Sequence, residues 1–284
     1  MSAWLPSAPC TPRHCARTTR KATGARAVAR LTAGVLAVLA GVLLAPLTAP
    51  LGRAARERAT RLWCRTVLRA FGVRVRITGG VPGKGPQLVV ANHVSWLDIP
   101  LVAAVLPGRM LAKSEVRHWP LLGPLAARGG TLFLERDRLR SLPGTVRHIA
   151  EALRGGSRVV VFPEGSTWCG RAHGRFRPAA FQAALDAGAA VRPVRITYRP
   201  TGPAAFVGDD PLTASLWRVA TARGLTAEIR LLPPIPADRH TDRRALARAA
   251  QTAVASDSAN RPSSSVHQCA NSIPDRASSL RTPS

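Results

Sequence analysis

Between residue 73 and about 235 the chain alternates strand-like and helix-like runs, and this alternation restricts the fold more than any other feature. The strand-like runs are VRVRIT (73–78), QLVVA (87–91), RMLAK (109–113), TLFLE (131–135), RVVVF (158–162), VRPVRIT (191–197) and AEIRLL (227–232). Helix-like runs lie between several of them, notably 96–106, 141–154 and 178–187. Such a pattern predicts an α/β fold, a mostly buried central sheet flanked by helices. At 284 residues the chain has room for one such domain, spanning 73–240, plus flanking segments. It contains no internal repeat, no G-x-x-x-x-G-K-[ST] loop, no G-x-G-x-x-G and no G-x-S-x-G elbow. A nucleotide hydrolase, a dinucleotide oxidoreductase and an α/β-hydrolase are therefore disfavoured.

The flanks differ in character from this domain. Residues 1–26 are basic and proline-containing, and little structure is expected there. Residues 31–51, LTAGVLAVLAGVLLAPLTAPL, carry no charge. That length suits a bilayer-spanning helix, a helix lying in the membrane, or an export signal. Arg53, Arg56 and Arg58 follow closely, and a basic block there favours an anchor retained on the cytoplasmic side. Residues 53–71 read as a second helix, with Leu62, Trp63, Val67, Leu68 and Phe71 at helical spacing. It suits a lipid interface or a core-facing position equally. Segment 27–72 is thus expected to be helical and membrane-associated. Residues 241–255 are expected to form a last helix, and 256–284, rich in Ser, Pro and Asn, a disordered tail.

Charge and cysteine content narrow the partners. There are 41 basic and 15 acidic residues, and lysine occurs only at 21, 84 and 113. Nucleotide bias, attraction to an anionic membrane and nucleic-acid binding could each produce this excess. Nucleic acid is the weakest reading, because no recognition helix, zinc finger or aromatic RNA-binding signature accompanies the charge. The cysteines at 10, 15, 64, 169 and 269 match no zinc spacing. They read as thiols of a reducing compartment rather than a disulfide framework.

Four segments carry chemistry. The first, NHVSWLD (92–98), follows the strand QLVVA, and strand C-termini are where open α/β sheets bind ligands. His93 and Asp98 would not share a face of a regular helix. They can meet if His93 sits in the turn before a helix that contains Asp98. The carboxylate would then fix the imidazole tautomer and leave its other nitrogen to take a proton from a hydroxyl. The second, GGTLFLERDR (129–138), ends a strand in a burst of charge, where Arg136 could meet a phosphate or carboxylate. In the third, VVVFPEGSTW (159–168), a strand breaks into a turn whose amides, with Ser166 and Thr167, could form an anion site. The fourth, VRPVRI (191–196), has Pro193 inside a strand, which predicts an edge or a bulge.

Taken together, in order and spacing, these segments resemble the four blocks of the lysophospholipid (glycerolipid) acyltransferase family, of the 1-acylglycerol-3-phosphate acyltransferase type. Asn92, His93, Ser95 and Asp98 match N-H-x-S-x-x-D. Gly130, Phe133 and Arg136 match G-x-x-F-x-x-R. Phe162, Pro163, Glu164, Gly165 and Ser166 match F-P-E-G-[ST], and Pro193 matches the fourth block. The resemblance covers roughly residues 55–235 and implies a single glycerolipid-acyltransferase-like domain behind N-terminal membrane-associated helices.

The resemblance also implies roles. His93 would be the general base, Asp98 its orienting partner, and attack on the acyl thioester direct. Asn92, Ser95, Phe133, Arg136, Glu164, Gly165, Ser166 and Thr167 form the implied substrate-binding set. The donor would be acyl-CoA or an acyl carrier protein, and neither metal nor other cofactor is required. The domain would act on membrane lipids at the cytoplasmic side of the cell membrane. One departure matters: phosphate-acceptor members carry an arginine where Thr167 stands, and Arg171, Arg175 or Arg177 could substitute. Lysophosphatidic acid ranks first as acceptor, being the family's commonest. The stretches FRPAAFQAALDAG and VRPVRITYR also resemble enzymes acylating lyso-ornithine lipid, whose headgroup lacks phosphate. An inactive lipid-binding protein is the reading from a different class.

Overall fold

In a computed structural model, residues 8–17, 21–83, 85–120, 122–135 and 138–259 are described. Each of the seven strand-like runs forms a strand: β1 (Arg74–Gly79), β2 (Gln87–Ala91), β3 (Arg109–Lys113), β4 (Leu132–Leu134), β5 (Arg158–Val161), β6 (Ala190–Arg199) and β7 (Thr226–Leu231). They make one sheet in the order β1-β7-β6-β2-β5-β3-β4. All neighbours are parallel except β6 and β7. β2 and β5 are buried along their whole length. Their period of two divides the core: Val89, Ala91 and Val160 face one apolar layer, and Leu88, Val90, Val159 and Val161 the other.

Helices Leu142–Arg154, Ala179–Asp186 and Arg243–Ala259 cover the second face, through Ile149, Leu153, Phe181, Leu246 and Val254 among others. On the first face lie helices Arg53–Ala70, Asp98–Ala103 and Leu212–Thr221. Of the alternatives left open for residues 53–71, the core-facing one is seen for part of the helix. Cys64, Val67 and Leu68 enter the core, whereas Leu62 is exposed. Helices Leu122–Arg128 and Leu212–Thr221 have no counterpart among the sequence expectations.

The apolar run forms helix Gly24–Leu44, which continues as a 3-10 turn through Thr48. One side of it packs on Arg53–Ala70 through small residues. A side chain at Gly34 would come within 2.5 Å of the Phe71 ring, and one at Gly41 would overlap Trp63. The Trp63 indole N–H donates to the Ala37 carbonyl at 2.8 Å. The other side leaves Val28, Val35, Leu36, Leu43, Leu44 and Leu47 exposed. The N-terminal end of this helix is tied to the α/β domain. Ala22 N–H donates to the Thr221 carbonyl at 2.8 Å, and the Arg30 guanidinium donates to the Ala222 carbonyl at 2.7 Å.

Two expectations need correction. The segment before residue 27 was expected to lack structure, yet its described part is ordered against the domain. A short helix, Pro12–Cys15, starts on a proline, whose fixed φ and missing N–H suit a first helical turn. Cys10 and Cys15 are buried, and helix Gly24–Leu44 begins inside the supposed leader. Residues 1–7 and 18–20, and the tail from residue 260, lie outside the described residues. The second correction concerns Pro193, which is neither on an edge strand nor in a bulge. β6 has β2 on one side and β7 on the other. The ladder to β7 starts at Val194, and the Pro193 carbonyl accepts from Leu232 N–H beyond the end of β7 at 3.1 Å. The proline therefore falls where one ladder stops, and its missing donor breaks no β7 pair.

Gly41→Leu is expected to displace Trp63 and break its bond to Ala37. The cost should be about 1–3 kcal/mol, read as a lower unfolding midpoint with a changed tryptophan emission.

Candidate active site

The parallel neighbours β2 and β5 end side by side, so the loops that follow them meet. After β2, Asn92 stays with the sheet: its amide donates to the Ile196 carbonyl at 2.9 Å and accepts from Ile196 N–H at 2.8 Å. The side chain thus extends the β2–β6 ladder and fixes where the turn begins. His93 lies in that turn, and Asp98 opens helix Asp98–Ala103.

His93 Nδ1 donates to Asp98 Oδ2 at 2.8 Å. The same oxygen accepts from Val94 N–H at 2.6 Å and Ser95 N–H at 2.9 Å. Oδ1 accepts from the Tyr198 hydroxyl at 2.6 Å. Asp98 is fully buried, so its charge is held by four donors rather than by water. An acceptor-only carboxylate puts the imidazole proton on Nδ1 and leaves the Nε2 lone pair to the outside. His93 is partly exposed and stacks on Phe162, with ring centroids 4.1 Å apart. The pair can therefore accept a proton from a group that approaches Nε2.

The loop after β5 closes on this turn. Glu164 Oε2 accepts from His93 N–H at 2.8 Å, and Oε1 from Gly174 N–H at 3.1 Å. Trp168 N–H donates to the His93 carbonyl at 2.7 Å. Burial outweighs the two amide donors and pushes the Glu164 carboxyl up to about 8, with the nearby Asp98 charge adding to the rise. Burial likewise raises the Tyr198 hydroxyl well above its ordinary value, and the charge of Asp98 raises it further. Gly165 has φ +74°, a conformation that a side chain would strain. Ser166 and Thr167 follow it half-buried.

The remaining residues of the predicted set sit elsewhere. Ser95 is buried, and its Oγ accepts from Leu97 N–H at 3.2 Å, shaping the turn from within. Phe133 is on β4, three places from β2 in the sheet order, with the Arg117 guanidinium 5.7 Å from its ring centre. Arg136 lies outside the described residues. Arg171, Arg175 and Arg177 are exposed on the loop after β5. A separate basic cleft of about 830 Å³, lined by Lys21, Arg26, Arg30, Arg74 and Arg223, opens beside the start of helix Gly24–Leu44.

Sequence reasoning missed Tyr198. The signal was the period of two in β6, which puts it on the same buried face as Val194 and Ile196. A hydroxyl on an apolar face needs a partner.

The site thus brings a buried carboxylate–imidazole pair to the C-terminal ends of the parallel strands β2 and β5. A family model described as Acyltransferase matches residues 72–197. The chain is 44% identical over 203 residues to the lyso-ornithine lipid O-acyltransferase of Pseudomonas aeruginosa, covering 70% of this chain and 78% of that one. It is 36% identical over 199 residues to the 1-acyl-sn-glycerol-3-phosphate acyltransferase of Neisseria meningitidis, covering 67% and 77%. The crystal structure of the 1-acyl-sn-glycerophosphate acyltransferase PlsC from Thermotoga maritima superposes with a TM-score of 0.60 at 20% identity, covering 83% of this chain and all of that one. The chain belongs to the glycerolipid acyltransferase family and is an acyltransferase.

Tyr198→Phe removes one donor from the buried Asp98 charge. It is expected to lower stability by about 1.5–3 kcal/mol, measured by denaturant unfolding in detergent. Glu164 holds its proton more tightly folded than unfolded, where its value is 4.5. The stability linked to it is complete below pH 4.5 and is lost as pH rises through about 8. Glu164→Gln should flatten the unfolding midpoint across that window. An equal slope in both proteins would assign the pH dependence to other groups.

Proposed function

We propose that the chain transfers a fatty acyl group from an acyl thioester, carried by coenzyme A or acyl carrier protein, to the free hydroxyl of a lysolipid. The 2.8 Å contact between His93 Nδ1 and the buried Asp98 carboxylate carries this reading. Nε2 takes the proton of the acceptor hydroxyl as its oxygen attacks the thioester carbonyl. The tetrahedral intermediate collapses, the thiolate leaves, and the proton on His93 is returned to it. Asp98 stays ionised and stabilises the transient imidazolium. No acyl-enzyme forms. Asn92 and Ser95 position this machinery, and the loop carrying Glu164, Gly165, Ser166 and Thr167 borders the acceptor.

Two observations favour lyso-ornithine lipid over lysophosphatidic acid as acceptor, reversing the order drawn from the family's commonest substrate. Thr167 stands where phosphate-acceptor members carry arginine, and the Pseudomonas aeruginosa relative shares 44% identity. The Neisseria relative, at 36%, and the exposed arginines after β5 keep lysophosphatidic acid as the second reading. The enzyme works at a membrane surface on its cytoplasmic side. Exposed leucines and valines of helix Gly24–Leu44 enter one leaflet, and the cations around Arg26 and Arg74 meet its anionic headgroups. The helix lies along the membrane surface, its N-terminal end tied to the catalytic domain through Ala22 and Arg30.

The purified protein, given acyl-CoA or acylated carrier protein, should release free thiol with lyso-ornithine lipid and less with lysophosphatidic acid. The reverse preference would restore the phosphate acceptor, and no release with any lysolipid would remove the proposal. His93→Ala is expected to cost about 10²–10⁴-fold in rate. An unchanged rate in His93→Ala or Asp98→Asn would reject the dyad mechanism.

A further inference from the structure

Away from the dyad, the Sγ atoms of Cys10, Cys15 and Cys169 all lie within 4.8 Å of one another, and all three residues are buried. They form a small cluster of their own with Ala205 and Val207, beside Ala8, Trp168 and Ala172. Three thiolates around one zinc ion at about 2.3 Å would place their sulfurs roughly 3.8 Å apart in tetrahedral geometry, within the observed spread. We propose that Cys10, Cys15 and Cys169 bind a single thiophilic cation, of which Zn²⁺ is the ordinary case, and that this ion staples the N-terminal segment to the loop after β5.

The packing of the segment supports a ligand at this place. Gly202 and Gly208 let the backbone at Arg17 and Cys10 approach closely; a side chain at Gly202 would overlap the Arg17 carbonyl. The seat for the segment is thus shaped, yet the segment brings little apolar surface to it. Within residues 8–17 only Cys10 and Cys15 are fully buried, which is poor compensation for ordering ten residues. Metal–thiolate bonds supply what apolar contact does not. Binding involves no redox change: three S–H protons go to solvent as three sulfur–metal bonds form, and solvent completes the coordination. A complex of three thiolates and one divalent ion carries a net negative charge, which suits a chain of net charge +26.

The site is structural, and its chemistry is independent of which lysolipid is acylated. Its effect reaches the active site through the chain, because Cys169 adjoins Trp168, whose N–H holds the His93 carbonyl.

The test uses the full chain, purified in detergent under reducing conditions and titrated with Zn²⁺ or Co²⁺. One ion per chain should appear by native mass spectrometry, and Co²⁺ should give the near-ultraviolet thiolate-to-metal charge-transfer band. Cys10→Ser, Cys15→Ser and Cys169→Ser should each abolish the band, while the Cys64→Ser/Cys269→Ser double variant keeps it. Zinc should also slow tryptic cleavage after Arg13 and Arg17, a readout on the native sequence that survives if a variant fails to fold. Absence of the band with all thiols reduced would overturn the proposal. So would its equal loss in the double variant, a Cys10–Cys169 disulfide in protein isolated without oxygen, or cleavage unaffected by zinc.

Discussion

A buried negative charge without a cationic side chain beside it organises the centre of this protein. Asp98 sits in a chain with 41 basic residues, yet among the described residues no lysine or arginine pairs with it. Two backbone amides, a phenol and an imidazole hold it instead. The choice has a physical logic. An arginine would satisfy the carboxylate bidentately and compete with the histidine for it. Neutral donors leave the imidazole as the one partner able to gain a proton, so the field of the carboxylate acts on that ring. The turn from Asn92 to Asp98 is folded around this carboxylate, and its first residue is tied to β6 by a side-chain amide that imitates backbone.

The sheet makes the rest possible. β2 and β5 are adjacent and parallel, so two motifs about seventy residues apart in sequence end at one edge. The peptide N–H of His93 then meets Glu164, and its carbonyl meets the amide of Trp168. The backbone of His93 is clamped on both sides by one loop, while its ring remains stacked and partly open. Position is thereby separated from chemistry: the loop fixes the backbone, and Asp98 fixes the ring.

Most of the fold was legible because it is written in local periodicity. The seven strands and the long helices reveal themselves within windows of five to fifteen residues, and the His93–Asp98 meeting was legible only as a possibility, open if His93 stood in the turn before the helix. What escaped depends on distant partners. Tyr198 reaches Asp98 across a hundred residues of sequence, and nothing local marks it apart from a hydroxyl on an apolar face. Pro193 reads as an edge until one knows that β7 ends beside it. The N-terminal cysteines read as disorder because their neighbours are prolines and arginines, and their burial comes from Cys169 and Ala205, far along the chain. Helix Leu212–Thr221 was missed although it is amphipathic, with Leu216 and Val219 turned to the core.

The seating of helix Gly24–Leu44 has a consequence for the order in which the molecule is made. Its docking partners are synthesised after it, some long after: Arg30 waits for Ala222, 192 residues later. Helix Arg53–Ala70 can pack on it soon after it is made, through Trp63 and Phe71, whereas its N-terminal end must wait. The seat of its N-terminal end is therefore complete only once the residues around Ala222 have been made.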